Sequence, residues 1–248
     1  MGETVLITGG GRGIGAATAE LAARRGYDVL INYRADRVAA EAVAARVRDA
    51  GRRCVVCAGD VANEADVMHV FDTCDRELGP LTGLVNNAGT VGLQTRVEAM
   101  DAARINAIFA TNVTGSFLCA REAVKRMSSR RGGRGGSIVN LSSAASRLGS
   151  PNEFVDYAAT KGAIDTFTLG LAKEVATEGI RVNAVRPGLI DTEIHATSGE
   201  PGRIDRLRGA IPMQREGSAT EVAEAILWLL SPASGYTTGS FIDVSGGR

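Results

Sequence analysis

Short runs of aliphatic and β-branched residues recur along the chain, each followed by a stretch with apolar positions at helical spacing. VLIT (5–8) precedes AATAELAARRG, DVLINY (28–33) precedes DRVAAEAVAARVRDAG, and CVVCA (54–58) precedes EADVMHVFDTCDREL. GLVNN (83–87) comes next, then a long helical stretch from about Ala102 to Met127, SIVNLS (137–142), and a helix that carries Tyr157. RVNAV (181–185), an irregular segment to about Ser218, a helix TEVAEAILWLL and a last strand SFIDVS complete the order. Apolar strands alternating with helices predict a parallel sheet covered on both faces. Gly26, Gly51 and Gly179 stand where helices should stop. No composition break or repeat marks a second domain, so the pattern predicts one doubly wound α/β domain over residues 1–248.

The 248 residues, 44% of them hydrophobic, suffice for one substantial core. The 28 basic and 28 acidic residues balance, which argues against nucleic acid or an anionic membrane as a partner. The basic cluster Arg130, Arg131 and Arg134 is diluted by glycine and reads as a solvated, flexible loop. The N-terminus runs directly into VLIT with no signal-peptide pattern, and no apolar run reaches the length of a membrane span, so a cytoplasmic protein is expected. Cys54 and Cys57 form a CxxC inside a strand, where residues three apart point to opposite faces. With Cys74 and Cys119 they read as reduced thiols, and no metal site is expected.

Chemistry enters at three places. The turn Thr8-Gly9-Gly10-Gly11-Arg12-Gly13-Ile14-Gly15 joins the first strand to the first helix, where glycines let backbone approach a pyrophosphate. The second strand ends Asn32-Tyr33-Arg34 with no acid for a ribose 2′-hydroxyl; Asp36 comes two residues later. Arg12 and Arg34 are instead available to a 2′-phosphate, which predicts NADP (NADPH) over NAD. Tyr157 and Lys161, four apart, project from one helix face. An ammonium beside a phenol favours the phenolate, so the pair reads as a phenol tuned to exchange a proton with a substrate oxygen.

TGGGRGIG, GDV, NNAG, NVTGSF, NLSS, YAATK and RPG occur in order over almost the whole chain. Together they resemble the classical short-chain dehydrogenase/reductase family, and within it the bacterial glucose/ribitol-dehydrogenase-like members. The resemblance implies a Rossmann domain with a seven-stranded parallel sheet in the order 3-2-1-4-5-6-7. It implies hydride transfer between NADP or NAD and a small-molecule carbonyl or secondary alcohol, by a tetrad carried onto Asn112, Ser143, Tyr157 and Lys161. Tyr157 would exchange the proton, Lys161 would lower its pKa and hold the nicotinamide ribose, and Ser143 would bind the substrate oxygen. Asn112 would hold a water linking Lys161 to solvent. Ser142 rivals Ser143, because the residue thirteen before Tyr157 is Ala144 and the loop looks one residue longer than usual.

The same resemblance assigns Gly9, Gly13, Ile14 and Gly15 to the cofactor phosphates, Asp60 and Val61 to the adenine, and Asn87, Ala88 and Gly89 to the inner ribose. Pro187, Gly188, Ile190 and Thr192 would lie near the nicotinamide. Residues 191 to about 214 would form the substrate loop, and its His195 reads as a solvated side chain rather than a catalyst. Small residues at Ala158, Ala159, Gly162, Ala163, Gly170 and Ala172 suggest a second buried face on the helix of Tyr157. In the family such helices pair across a two-fold axis and the C-terminal segment forms a second interface, which implies a homotetramer. Two other readings are a 3-oxoacyl-thioester reductase, sharing fold and tetrad, and a dinucleotide sensor without chemistry, which the complete tetrad argues against.

Overall fold

In a computed structural model that describes residues 2–193, 199–200 and 202–248, the strand runs pair in parallel through β1 (Thr4–Ile7), β2 (Asp28–Tyr33), β3 (Cys54–Ala58), β4 (Gly83–Asn86), β5 (Gly136–Leu141), β6 (Ile180–Pro187) and β9 (Phe241–Val244). Their order is β3-β2-β1-β4-β5-β6-β9. This is the expected doubly wound sheet; the last strand is ninth in the chain because two short strands, β7 (Ile190–Asp191) and β8 (Gly217–Ser218), pair with each other outside it. Val5, Leu6, Ile7, Leu30, Ile31 and Val85 are fully buried, as strands sandwiched between helices must be.

Two apolar layers flank the sheet. One gathers Ala19, Val43 and Ile226 from α1 (Gly13–Arg24), α2 (Arg37–Asp49) and α9 (Ala219–Leu230). The other gathers Phe71, Ala123, Ala172 and Val175 from α3 (Glu64–Leu78), α5 (Gly115–Met127) and α7 (Val155–Val175). Cys54 belongs to the first layer and Cys57 to the second, so the CxxC is split across the sheet. All four cysteines are buried and free, and burial pushes Cys54, Cys74 and Cys119 up to about 12. Gly26, Gly51 and Gly179 take positive φ just beyond helix ends, where a left-handed residue stops the helix.

The stretch expected as one helix over 102–127 is continuous but not uniform. Residues Ala110–Thr114 form a π turn between α4 (Ala102–Phe109) and α5. The basic 130–134 segment is a largely exposed turn: Ser129–Arg131 is 3₁₀ and Arg130 reaches Thr177 and Glu178. No helix among the described residues is long and apolar enough to cross a membrane.

α7 is fastened to the sheet by buried polar groups. Asn86 Nδ2 donates to Asn140 Oδ1 at 2.9 Å and to Ser116 O at 3.2 Å, and Asn140 Nδ2 donates to Thr168 Oγ1 on α7 at 2.9 Å. Each partner is shielded from water, so the chain β4–β5–α7 fixes how α7 is rotated over the strand ends.

Candidate active site

The first strand ends in a turn that only small residues can make. Gly9 and Gly13 have φ of 61° and 53°, the left-handed region. A Cβ on Gly15 would stand 2.5 Å from Gly9 O and 2.6 Å from Asn87 Nδ2. Arg12, at the N-cap of α1, offers no side-chain cap, so the first-turn amides face outward without a side-chain acceptor. A glycine cradle with free helix N-terminal amides fits a pyrophosphate. Ile14 packs against the first apolar layer, and Thr192 lies against Gly13, with Cγ2 3.4 Å from where its Cβ would be.

Side chains that the motif alone does not explain hold this turn. Thr8 Oγ1 accepts from the amides of Asn87 and Ala88, each at 3.0 Å. Asn87 Nδ2 donates to Thr8 O at 2.9 Å and to Gly9 O at 3.0 Å. The Asn87 side-chain amide thus shapes the turn. Asn32, which sequence reading did not single out, accepts from Gly9 N at 3.4 Å and donates to Gly59 O at 2.9 Å. A buried asparagine ending an apolar strand was the available signal. Asp60 and Val61 lie with Thr8, Asn32 and Phe71 around a narrow hollow at the ends of β1 to β3.

Beside the turn lies a cavity of about 380 Å³ lined by Gly11, Arg12, Gly13, Ala16, Asp36, Ala39, Arg46 and Glu193. Arg12, expected at a 2′-phosphate, lines this cavity. Arg34 is exposed after β2 and is not in the lining. The second arginine there is Arg46, which α2 carries and which hydrogen-bonds Glu20 at 2.7 Å. Asp36 also lines the cavity, but its carboxylate caps α2 by accepting from Ala39 N at 2.9 Å.

The polar centre forms at the C-terminal ends of β4, β5 and β6. Tyr157 and Lys161 share a face of α7, with Lys161 Nζ 5.5 Å from the Tyr157 ring centre. Lys161 is buried, and its Nζ donates to Leu141 O at 2.6 Å. Gly89 is close, its Cβ position 3.8 Å from Lys161 Nζ. Ser143 hydrogen-bonds the Tyr157 side chain and caps its own turn, its Oγ accepting from Ala145 N at 3.1 Å. Ser142 turns the other way, its hydroxyl donating to Asp165 Oδ1 at 2.6 Å. Ala144, next in the loop, is buried and donates its amide to Pro187 O at 2.9 Å. Gly188 packs against Ser245, with 2.7 Å from the Cβ position to Ser245 Cα, and buried Ile190 starts the β7–β8 pair.

Asn112 lies buried in the π turn. Its Oδ1 accepts from Thr90 N at 2.8 Å, and its Nδ2 donates to Thr90 O at 2.9 Å and Thr160 Oγ1 at 3.1 Å. Both amide hydrogens are used, and the side chain pins the loop after β4 to α7.

The electrostatics depart from the simple phenol–ammonium picture. Burial raises the Tyr157 pKa above 10.0, opposed by the Ser143 hydrogen bond and the positive charge of Arg203; Lys161 is not among the causes. Burial also pulls Lys161 down from 10.5 to about 8, opposed by the carboxylate of Asp165. The reason is desolvation: each charged form loses water, and the lysine's short hydrogen bond goes to a carbonyl.

The 191–214 segment is partly structured. Among its described residues are α8 (Arg203–Leu207) and a 3₁₀ turn, Arg208–Ala210. His195 lies outside the described residues. Glu153, four residues before Tyr157, pairs with Arg203 at 2.5 Å and Arg206 at 2.6 Å, and Arg203 stacks 4.8 Å above Phe154. This brings α8 against the approach to Tyr157.

The doubly wound fold, the glycine cradle and a Ser–Tyr–Lys cluster at the strand ends define a dinucleotide-dependent oxidoreductase site. A family model described as enoyl-(acyl carrier protein) reductase matches residues 9–248. The chain is 57% identical over 243 residues to an uncharacterized oxidoreductase, YgfF, of Escherichia coli strain K12, covering 98% of each. It is 34% identical to glucose 1-dehydrogenase 2 of Bacillus subtilis strain 168 (99% of this chain, 94% of the relative) and 36% identical to 3-oxoacyl-[acyl-carrier-protein] reductase of a Synechocystis species (99% and 96%). A short-chain dehydrogenase from Burkholderia cenocepacia J2315, solved with NADP, superposes with a TM-score of 0.91 at 30% identity, covering 99% of this chain and 97% of that one. The chain belongs to the classical short-chain dehydrogenase/reductase family, whose members are oxidoreductases that use a nicotinamide cofactor.

Burial of Lys161 has a consequence for stability. An unfolded chain keeps this ammonium up to its ordinary 10.5, while the folded chain gives it up near 8. The cost is therefore full below pH 8 and is relieved as pH rises from 8 to 10.5. It amounts to about 3 kcal/mol at pH 7. Lys161→Met, which keeps the length without the charge, should gain stability relative to the parent at pH 7, and the gain should shrink by about 2 kcal/mol at pH 10. Denaturant unfolding of both proteins at the two pH values checks this; a difference that grows with pH would contradict it.

Proposed function

We propose that the protein is an NADP-preferring oxidoreductase that interconverts a carbonyl and a secondary alcohol, with a sugar or polyol as the substrate class. The observation that carries the reading is the Ser143–Tyr157 hydrogen bond above a buried Lys161. Bound NADP would supply or accept the hydride; the glycine turn, Arg12 and the loop after β4 would hold it. A substrate oxygen would sit between the hydroxyls of Ser143 and Tyr157. Burial keeps the Tyr157 phenol protonated at neutral pH, the state that reduction requires. Ser143 stabilises the charge that develops on the substrate oxygen, and Tyr157 delivers the proton. Lys161 lies close enough to stabilise the resulting phenolate and to meet ribose hydroxyls. Asn112 holds the loop that faces them, and the Arg203–Leu207 helix, tied to Glu153, would flank the substrate's approach.

A second reading, reduction of a 3-oxoacyl thioester, is favoured by the Synechocystis relative. The same three side chains would perform it. A screen with NADPH and NADP⁺ over sugars, polyols and ketoacyl thioesters separates the two. The reading places the protein in the cytoplasm, which the four free buried cysteines support.

We also propose a homotetramer. On the outer side of α5 and α7, Phe117 is 48% exposed and stacks on Phe167 with centroids 3.8 Å apart, and Leu169 is 42% exposed. Positions Gly162 and Gly170 have nothing within 4 Å. Of the small residues on this helix, Ala158 and Ala172 point into the chain's own core at 5% and 1% exposure. Toward the C-terminal end, Trp228 and Tyr236 are also exposed. Two isologous contacts of this kind build D₂ symmetry.

Three outcomes follow. With a substrate from the screen, Tyr157→Phe should lower kcat by about 10²–10⁴-fold while NADPH still binds, and Ser143→Ala should cost about 10²-fold more than Ser142→Ala does; steady-state kinetics that reverse the serine order would reassign the site. Arg12→Ala should weaken NADPH about tenfold and leave NADH unchanged, read by nicotinamide fluorescence titration; equal loss for both cofactors would remove Arg12 from the 2′-phosphate. Light scattering at micromolar concentration should give four times the 25.8 kDa chain mass, and a monomer would refute the assembly.

A further inference from the structure

Asp165 follows Lys161 by one turn of α7 and faces the same side of the helix, yet nothing in the proton-transfer scheme uses it. Its carboxylate is 15% exposed and held by three donors. Ser142 Oγ donates to Oδ1 at 2.6 Å, and Arg186 donates to Oδ2 from Nε at 3.1 Å and from Nη2 at 2.9 Å. The Ser142 hydroxyl also lies 3.3 Å from Lys161 O. Arg186, at the end of β6 and 16% exposed, is itself fixed by stacking 3.9 Å over Phe241 of β9. Ser142 directly follows Leu141, whose carbonyl receives Lys161 Nζ. One carboxylate thus ties α7 to the ends of β5 and β6 at the level where the lysine enters the site.

We propose that Asp165 is a positioning residue for Lys161: pinned by Ser142 and Arg186, it fixes the α7 turn that carries the lysine and supplies an acid one helical turn from it. The other groups around Lys161 leave this role open. On α7 there is only the neutral phenol of Tyr157. β5 contributes the Leu141 carbonyl, the loop after β4 contributes Gly89, and the π turn contributes Asn112, all uncharged. From β6 comes Arg186, and behind it Asp243 of β9 lies 4.0 Å from Arg186 and 3.4 Å from Arg147. Asp165 is the charge that opposes the burial of Lys161, and Arg186 sets how much of it the lysine feels. Removing the carboxylate leaves the ammonium facing Arg186 alone. Removing Arg186 leaves Asp165 without its cation, while Asp243 keeps Arg147. The two changes therefore act on Lys161 with opposite sign.

The chain has three lysines, Lys125, Lys161 and Lys173, of which Lys125 and Lys173 are exposed. ¹³Cε-lysine NMR of the full-length protein therefore isolates the Lys161 titration without substrate or cofactor. Asp165→Asn keeps shape and hydrogen-bonding capacity; its Lys161 midpoint should fall by about one pH unit from the parent value, and that of Arg186→Gln should rise by about half a unit. Unmoved midpoints, or shifts of the same sign in both variants, overturn the proposal, because simple loosening of the turn has no reason to change sign. The link to turnover rests on Lys161 serving the reaction. If the midpoints move oppositely while Asp165→Asn keeps the parental kcat/KM profile from pH 6 to 9, the positioning of Lys161 stands and its part in the reaction falls.

Discussion

A buried ammonium is costly, and Lys161 is held where it can lose most of its water with only a carbonyl 2.6 Å away. The fold around it works to keep one helix, α7, in one rotation over the ends of β4, β5 and β6. Asn86, Asn140 and Thr168 form one fastening, Ser142, Asp165 and Arg186 a second, and Lys161 with Leu141 O a third. A rotation of α7 by one residue position would turn these polar groups into apolar layers that offer no partners. The same rotation presents Tyr157 to Ser143. The packing that positions the helix is thus also what positions the chemistry.

The second region of the site obeys a different constraint. At the glycine turn, backbone rather than side chain must approach a ligand, so the residues there are chosen for what they lack. Gly15 leaves room that a methyl group would fill, while Thr8, Asn32 and Asn87 hold the vacated backbone in shape from neighbouring strands. Both regions lie at the C-terminal ends of parallel strands, where the crossing connections diverge and open a crevice. A dinucleotide spanning that crevice would place one end on free helix amides and the other by the Ser–Tyr–Lys cluster.

Much of this was legible in the chain. β2 and β3 have the bounds that their apolar runs indicated, because no residue at either end continues the pattern. The motifs marked the strand ends and hence the site. What escaped reading was of two kinds. Spacing counts residues but not local geometry: the π turn inside 102–127 carries Asn112 without any visible break, and counting preferred Ser143 to Ser142 by a single residue without showing that Ser142 turns to Asp165. Composition also does not reveal where a charge ends up. Arg46 lies thirteen residues past the second strand and still reaches the cavity that Arg34 does not line. The phenol that Lys161 was expected to acidify is instead raised by burial, since desolvation acts on both groups before any cofactor arrives.

The central claim is that this geometry waits for a nicotinamide nucleotide, with Lys161 as the hinge between cofactor and proton donor. A crystal structure of the protein with NADPH tests it most directly. The account predicts the pyrophosphate on the amides after Gly13, the nicotinamide beside the Ser143 and Tyr157 hydroxyls, and Lys161 Nζ within hydrogen-bonding distance of the adjoining ribose. A dinucleotide bound with its ribose away from Lys161, or with the nicotinamide out of reach of Tyr157, would contradict it.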